Sequence, residues 1–328
     1  MKFSLTLILF SLIFFIASCA TVPAEKNYQL KLNLNPSTST QNKEIILETL
    51  LKGNFQLSLS FEDENSYLLQ DDLFNSNLRY FCNSFLDDQR DILELALFKR
   101  SSNNTLIVYT EEFEESASIL KKKYPNELYL KINKDTYEKD VIEILNIDLS
   151  IELFSEIKNL DKNVEVKHSP RSRKDILKIY FISNYDIGKT IVPLFRSYSS
   201  DIYFYATSTI FHDANNIKKL IDFENTYIPF SENLIKNISE KDVTYIKEEI
   251  QKSLISDFLT VENIYQNNLF SQNIDLLSSN SKIRKNNCIK RDLKLWEIST
   301  VSYWLTFKSL SIDDKLSRNP GLSNTEFW

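Results

Sequence analysis

The chain is short of glycine. It has three, Gly53, Gly188 and Gly321, in 328 residues, where ordinary usage near 7% would give about 23. A Walker loop, a dinucleotide-binding G-x-G-x-x-G and a G-x-S-x-G nucleophile elbow each need at least two close glycines, so all three are excluded. Histidine is nearly absent as well. His168 and His212 have no carboxylate or cysteine spacing around them, which excludes a multi-histidine metal site and points to surface or loop positions. Nor is there an excess of positive charge. The 39 Lys and Arg against 45 Asp and Glu give a net charge of −6, so there is no footprint for nucleic acid. No internal repeat and no low-complexity tract occurs.

What remains is a globular composition, 42% hydrophobic and 26% charged, neither disordered nor fibrous. The length suits two lobes of roughly 150 residues each. The start of the chain is distinctive. Lys2 precedes a 12-residue apolar run from Leu5 to Ile16, which fits the apolar core of a signal peptide and falls short of the ~20 residues of a membrane-spanning helix. Ile16-Ala17-Ser18-Cys19 then reads as a bacterial lipobox, with cleavage between Ser18 and Cys19 and lipid attachment at the Cys19 thiol. A single acyl chain holds a protein only marginally, whereas two or more anchor it stably. Ala20 follows, not Asp, which points to delivery to the outer membrane, on its periplasmic face. Residues 1–18 are then a signal peptide, and 19–27 the lipidated Cys with a short tether. Its seven residues 21–27 reach about 25 Å at most.

Beyond the tether, short apolar runs alternate with helical patterns. Strands are expected at 28–34, 55–61, 106–109, 128–132, 176–183, 202–206 and 224–228. Helices are expected at 43–51, 87–100, 112–123, 149–160, 186–198 and 241–268. Residues 278–298 carry two or three strands with turn signals. This β-α alternation argues an α/β protein of two doubly wound lobes facing a cleft. The lobe switch is expected near 135–147, with the chain returning between lobes.

The segment Pro170-Arg171-Ser172-Arg173-Lys174-Asp175-Ile176, running on through Tyr180-Phe181-Ile182-Ser183-Asn184, resembles a segment of the LpoA/LppC family, outer-membrane lipoproteins that activate penicillin-binding proteins. Ile147-Asp148 before a helix, Tyr205-Ala206-Thr207-Ser208, the run from Asp222 through Pro229 to Phe230, and Arg291, Leu293 and Trp296 near the end are similar to further family motifs, in the same order. The resemblance covers roughly 28–296 and is specific after Asn146. It implies a fold like the type I periplasmic binding proteins over 28–300, followed by a C-terminal segment 301–328. It implies no catalytic centre and no cofactor. As partner it implies a bifunctional penicillin-binding protein, whose peptidoglycan synthesis, and with it cell wall biogenesis, the chain would stimulate as an enzyme regulator. The family glycines at the Asn225-Thr226 turn and in the final hairpin are missing, so Asn is expected to take the left-handed backbone there. Phe230 stands where the family has Trp. Long members carry a helical-repeat domain before this one; here residues 21–27 stand in its place.

Several residues have both a plain and a functional reading. Arg171 and Arg173 with Asp175 read as a structural ion pair at the start of a buried strand rather than a partner-facing patch. Thr207 and Ser208 lie just past a strand's carboxyl end, where open α/β sheets bind ligands; they are candidate cleft residues, with a helix N-cap as the plainer role. Pro170, Asp222, Pro229, Arg291 and Trp296 are structural on the family pattern. Cys82 and Cys288, 206 residues apart, have two readings: a disulfide in an oxidising compartment and, as the expected one, two unpaired small hydrophobes. Glu111, Glu112, Glu114 and Glu115 open a helix, where they favour its macrodipole; no metal is expected there. Tyr198, Tyr203 and Tyr205 are candidate partner anchors. The leading function is therefore a non-enzymatic regulator. The alternative is a solute-binding lipoprotein that captures an amino acid or similar small polar ligand, which would need a carboxylate or ammonium clamp that the sequence does not clearly offer.

Overall fold

The computed structural model describes residues 29–52, 56–69, 72–99, 104–160, 168–212, 214, 217–240, 245–270, 275–279, 283, 287–301 and 304–310. Ser18, Cys19, the signal peptide and the tether lie outside these. Two sheets organise the chain. The first pairs β1 (Gln29–Asn33) in parallel with β2 (Gln56–Ser60), joined by α1 (Thr40–Lys52). Leu30 and Leu32 alternate inward from β1, as the period of two requires.

The second sheet has seven strands. They are β3 (Asn104–Tyr109), β4 (Leu128–Lys131), β5 (Ile176–Ile182), β6 (Tyr203–Ala206), β7 (Thr226–Phe230), β8 (Lys294–Val301) and β9 (Trp304–Leu310). Their spatial order is β4-β3-β5-β6-β7-β8-β9. The first five run parallel, and β8 and β9 close the edge antiparallel. Between them lie α2 (Phe85–Glu94), α3 (Glu114–Lys123), α4 (Tyr137–Ile144), α5 (Ile147–Leu160), α6 (Tyr185–Tyr198), α7 (Glu232–Glu240) and α8 (Ile246–Asn267). β5 shows why the sheet is doubly wound: Tyr180 and Ile182 pack with Leu93 of α2 and Leu120 of α3 on one face. Ile179 and Phe181 pack with Ile191, Val192 and Phe195 of α6 on the other. A strand apolar on both sides needs helices on both sides.

The helix ends follow local chemistry. Ser84 caps α2 by accepting from the Asp87 N–H at 3.1 Å, and Asn184 caps α6 by accepting from the Ile187 N–H at 3.2 Å. Among the described residues five non-glycine positions have positive φ, and four are asparagines: Asn65, Asn146, Asn225 and Asn268. Asn225, at φ 59°, takes the turn before β7 as expected, and its N–H donates to the Ile298 carbonyl at 2.7 Å. Gly188 has a different reason. A Cβ there would stand 2.7 Å from the Phe223 ring, so α6 approaches that ring only with no side chain at this position.

Three expectations are corrected. β4 and β5, on either side of 135–147, both pair with β3, so that segment, which carries α4, connects strands of one sheet. The change of sheet falls earlier, between β2 and β3. Two helices, α4 and α7, were not expected, and 278–298 yields one strand, β8, and an isolated bridge at Ile289 among the described residues. Cys82 and Cys288 form a disulfide, with Cα atoms 5.0 Å apart. Phe81 and Ile289 form a parallel bridge, in which the Cys82 N–H donates to the Ile289 carbonyl at 2.9 Å and the Ile289 N–H to the Tyr80 carbonyl at 2.8 Å. Nothing in either local pattern shows that pairing, because it joins segments 206 residues apart.

A crosslink closing so long a loop is worth about 5 kcal/mol by the chain-entropy estimate. Dithiothreitol, or Cys82→Ser with Cys288→Ser, should lower the denaturant midpoint correspondingly. An unchanged midpoint would mean that the bridge stabilises nothing.

Candidate functional site

In open α/β sheets, ligands sit outside the carboxyl ends of the strands where the strand order reverses. In the seven-stranded sheet that point lies between β3 and β5. The residues there are Thr110 and the pair Ser183-Asn184. One side chain crosses this crevice, as Asn184 Nδ2 donates to Glu112 Oε2 at 3.3 Å; beside it Thr209 Oγ1, from the turn after β6, donates to the Ser183 carbonyl at 3.2 Å.

Thr207 and Ser208, the candidate cleft residues, follow β6 and are buried. Thr207 occupies the N-cap position of a 3₁₀ turn, Ser208–Phe211, without a side-chain capping bond. Its hydroxyl meets Thr209 Oγ1 at 2.9 Å. The Ser208 N–H and hydroxyl both donate to Gln89 Oε1, at 3.0 and 2.9 Å. Gln89 Nε2 donates in turn to the Pro229 carbonyl at 2.7 Å. Gln89 is fully buried and ties α2 to the ends of β6 and β7. The sequence reading passed over it, since a lone glutamine in an amphipathic helix carries no signal of its own.

The junction of the two sheets is aromatic. Phe74, Phe85, Phe211 and Phe230 are all fully buried. Their ring centroids lie about 6 Å apart in successive pairs, Phe74 to Phe85, Phe85 to Phe230 and Phe230 to Phe211, the spacing of packed rings. His212 packs on Phe74 at 4.9 Å.

Beside these rings is a buried polar knot. The guanidinium of Arg291 donates from Nη1 to Asp88 Oδ2 and to the Asn83 carbonyl, both at 2.9 Å, and from Nε to Ser278 Oγ at 3.2 Å. The side chains of Arg291 and Asp88 are 0% and 2% exposed, and the guanidinium lies 4.2 Å from the Phe81 ring centre. Burial pulls the Arg291 pKa down, and Asp88 opposes it. Nearby, Asp257 of α8 accepts the N–H groups of Leu277 and Ser278 at 2.7 and 2.6 Å. Burial raises its carboxyl to about 6 in spite of those bonds and of Arg291. Asn83 belongs to the first passage between sheets, and Ser278 and Arg291 to the last.

Two clefts flank this junction. One, of about 310 Å³, lies among α1, α7 and α8. Its Lys252 is surrounded by Glu248 at 2.8 Å and by Glu48 and Glu249 at 3.9 Å. The other, of about 320 Å³, lies between α2 and α3 and is bordered by Asp87, Asp91 and Glu94 with Arg90. Among the described residues no group of three or more His, Cys, Asp or Glu is arranged to hold a metal, and no helix is long and apolar enough to cross a membrane.

The other singled-out residues are dispersed. Arg173 and Asp175 form a two-pronged ion pair, 2.6 Å at Nε and 2.5 Å at Nη2, just before β5. The Arg171 N–H donates to Ser150 Oγ at 3.1 Å, and Pro170 is exposed beside it. The Asp222 carbonyl accepts from Arg196 Nη1 at 3.3 Å. Trp296 Nε1 donates to the Phe230 carbonyl at 3.0 Å. Glu114 pairs with Lys131 at 2.8 Å. His168 stacks on Phe154. Tyr205 is buried and Tyr203 partly exposed. None of these gathers around the junction except Arg291, Trp296 and Pro229.

Removing Arg291 leaves Asp88 buried without its counter-charge, so Arg291→Ala should cost about 3–5 kcal/mol, read from the denaturant midpoint. Asp257 sets a pH dependence. Its folded pKa of about 6 lies above the ordinary 3.8. Its contribution is therefore fully present below about pH 4 and is lost as pH rises through about 6, by up to roughly 3 kcal/mol. Asp257→Asn should flatten that decline; an unchanged slope would assign it to other groups.

No protein-family model matches the chain, and no curated protein matches it in sequence. In three dimensions it is similar to full-length LpoA from Haemophilus influenzae, with a TM-score of 0.49 and 9% identity, covering 86% of this chain and 59% of that one. It is similar to the LpoA C-domain of the same organism, a regulator of PBP1A, with a TM-score of 0.39 and 9% identity over 85% of this chain and 99% of that one. It is also similar to the leucine binding protein LivK from Thermotoga maritima, with a TM-score of 0.46 and 10% identity over 87% of this chain and 99% of that one. The chain spans about three fifths of the full-length LpoA structure, 59%. By its own elements it is an α/β protein, and it is similar to solved structures of LpoA and of the leucine binding protein LivK.

Proposed function

We propose that this chain is a non-enzymatic lipoprotein regulator. It is anchored through Cys19 to the periplasmic face of the outer membrane, and it binds and activates a bifunctional penicillin-binding protein in peptidoglycan synthesis. The observation that carries the reading is the apolar core. One contiguous cluster holds Leu30 and Leu32 of β1, Phe74, Phe85 and Phe211 at the junction, and Phe181 of β5. A receptor that closes on a solute needs space between its lobes and unpaired polar groups to clamp the ligand. Here rings fill the junction, the Thr207 and Ser208 hydroxyls are spent on neighbours, the Thr110 and Ser183 hydroxyls lack a partner among the described residues but are shut off from solvent, and Lys252 faces three carboxylates. That arrangement favours a stiff body presenting outer surfaces to a protein. The order of the motifs from Pro170 to Trp296 supports the choice of partner.

Purified full-length protein is expected to bind the partner's soluble periplasmic region with micromolar or weaker affinity, as a transient contact of modest area does. It should also raise the rate of glycan polymerisation or crosslinking. Failure of both against every bifunctional synthase of the same cell would overturn the reading. A screen of amino acids and muropeptides should leave the melting temperature unchanged, although saturation at 100 times Kd would add about 2.7 kcal/mol; a reproducible shift with one compound would favour a solute receptor. Mass spectrometry of the mature N-terminal peptide should find acylated Cys19, and a free Ala or Ser N-terminus would remove the anchor.

A further inference from the structure

Helix α5 is the anomaly of the surface. It is 14 residues long, and of these only Ile147, Ser150 and Phe154 are not exposed. Ser150 Oγ contacts His168 Nε2 at 3.3 Å, and Phe154 stacks on the His168 ring at 4.3 Å, so these residues mark the face turned to the protein. Five large apolar side chains on the same helix stand in solvent: Leu149 at 52%, Ile151 at 45%, Leu153 at 51%, Ile157 at 56% and Leu160 at 87% exposure.

Helical geometry orders them. At about 100° per residue, Leu149, Leu153, Ile157 and Leu160 fall within one stripe roughly 80° wide. Asp148, Glu152 and Glu156, each four apart, form a second stripe directly beside it. An apolar stripe of this kind ordinarily faces a core. Here it faces outward, with a rail of carboxylates along one edge.

We infer that α5 is the docking helix of this protein, and that its occupant is an apolar groove with a basic rim on the penicillin-binding protein partner. This rests on the function proposed above and adds the surface and its chemistry. Charge selects the occupant. Residues 134–160, which include α4 and α5, hold seven carboxylates and three lysines, a net −4 against −6 for the whole chain. A second copy of the chain would bring two such rails to one interface, where like charges repel. An anionic lipid surface repels the rail, and a zwitterionic one carries no net charge to neutralise it. A groove lined by apolar residues with Lys or Arg on one rim meets both stripes at once, in the manner of an amphipathic helix laid in a groove.

The test uses the full-length protein and the recombinant periplasmic region of the bifunctional synthase. Hydrogen exchange of α5 backbone amides should slow at least about tenfold when that region is added. It should not change when protein concentration is raised alone, or when vesicles of phosphatidylcholine with or without phosphatidylglycerol are added. Leu153→Glu with Ile157→Glu alters only exposed positions, so the melting temperature should stay within a degree or two, while affinity for the synthase falls at least about tenfold. Asp148→Lys with Glu152→Lys should weaken binding most at low salt. If the wild type binds the synthase and the apolar double variant binds equally well, α5 is not the docking helix, and the proposed function stands. If charge reversal strengthens binding, the basic rim is wrong. Protection by vesicles or by concentration alone would assign the stripe to lipid or to a second copy. If the wild type binds no synthase, the function falls, and this surface assignment with it.

Discussion

The buried contact between Arg291 and Asp88 is what the rest of the structure is arranged around. A charged pair withdrawn from water costs several kcal/mol per ion unless its geometry and its further hydrogen bonds are good. Here they are supplied from distant places in the chain: the Asn83 carbonyl, the Asn83 side chain on Asp88 Oδ1 at 3.0 Å, and Ser278 Oγ. Asn83 and Asp88 lie on the first passage between the two sheets and Ser278 and Arg291 on the last, so these bonds form only when the two passages run side by side, with Arg291 Nη2 left without a hydrogen-bond partner among the described residues. The Cys82–Cys288 bridge and the Phe81–Ile289 backbone pairing hold the same passages from the flank. Directional bonds thus fix the relative placement of two sheets whose apolar contacts alone would tolerate sliding.

That arrangement also explains why the space between the sheets is filled. A fixed junction has no use for an open cleft, and phenylalanines occupy it. Gln89, Ser208 and Pro229 extend the same bonding along the ends of β6 and β7, while the Thr110 and Ser183 hydroxyls at the switch point are buried without a hydrogen-bond partner among the described residues. What the fold leaves available lies on its outside: the two charged clefts, and the apolar face of α5.

Much of the architecture was legible in the sequence because it is local. Alternation marked β1 and β2, a continuous apolar run marked β5, amphipathic spacing marked α1, and the scarcity of glycine led to Asn225 as a left-handed turn residue. What failed was non-local. Residues 135–147 look like a connector, and only the pairing of β3 with both its neighbours reveals that they join strands of one sheet. Cys82 and Cys288 carry no mutual signal across their separation. Arg291 stands out only by resemblance to a family motif, since a surface arginine and a buried one have the same letter. The outward stripe of α5 was recognised as helical periodicity, yet periodicity does not say whether its apolar side meets a core or solvent.

Gln266 has a bearing on how the chain reaches this state. From α8 its side-chain amide accepts from the Lys31 N–H at 2.9 Å and donates to the Lys31 carbonyl at 2.7 Å, serving β1 as a neighbouring strand would. The two residues are 235 positions apart. During synthesis, β1 and α1 therefore emerge long before the helix that completes them, and loop closure over such a span is slow. The first sheet is made first and finished last, which leaves Leu30, Leu32 and Ile46 dependent on temporary cover while the middle of the chain folds.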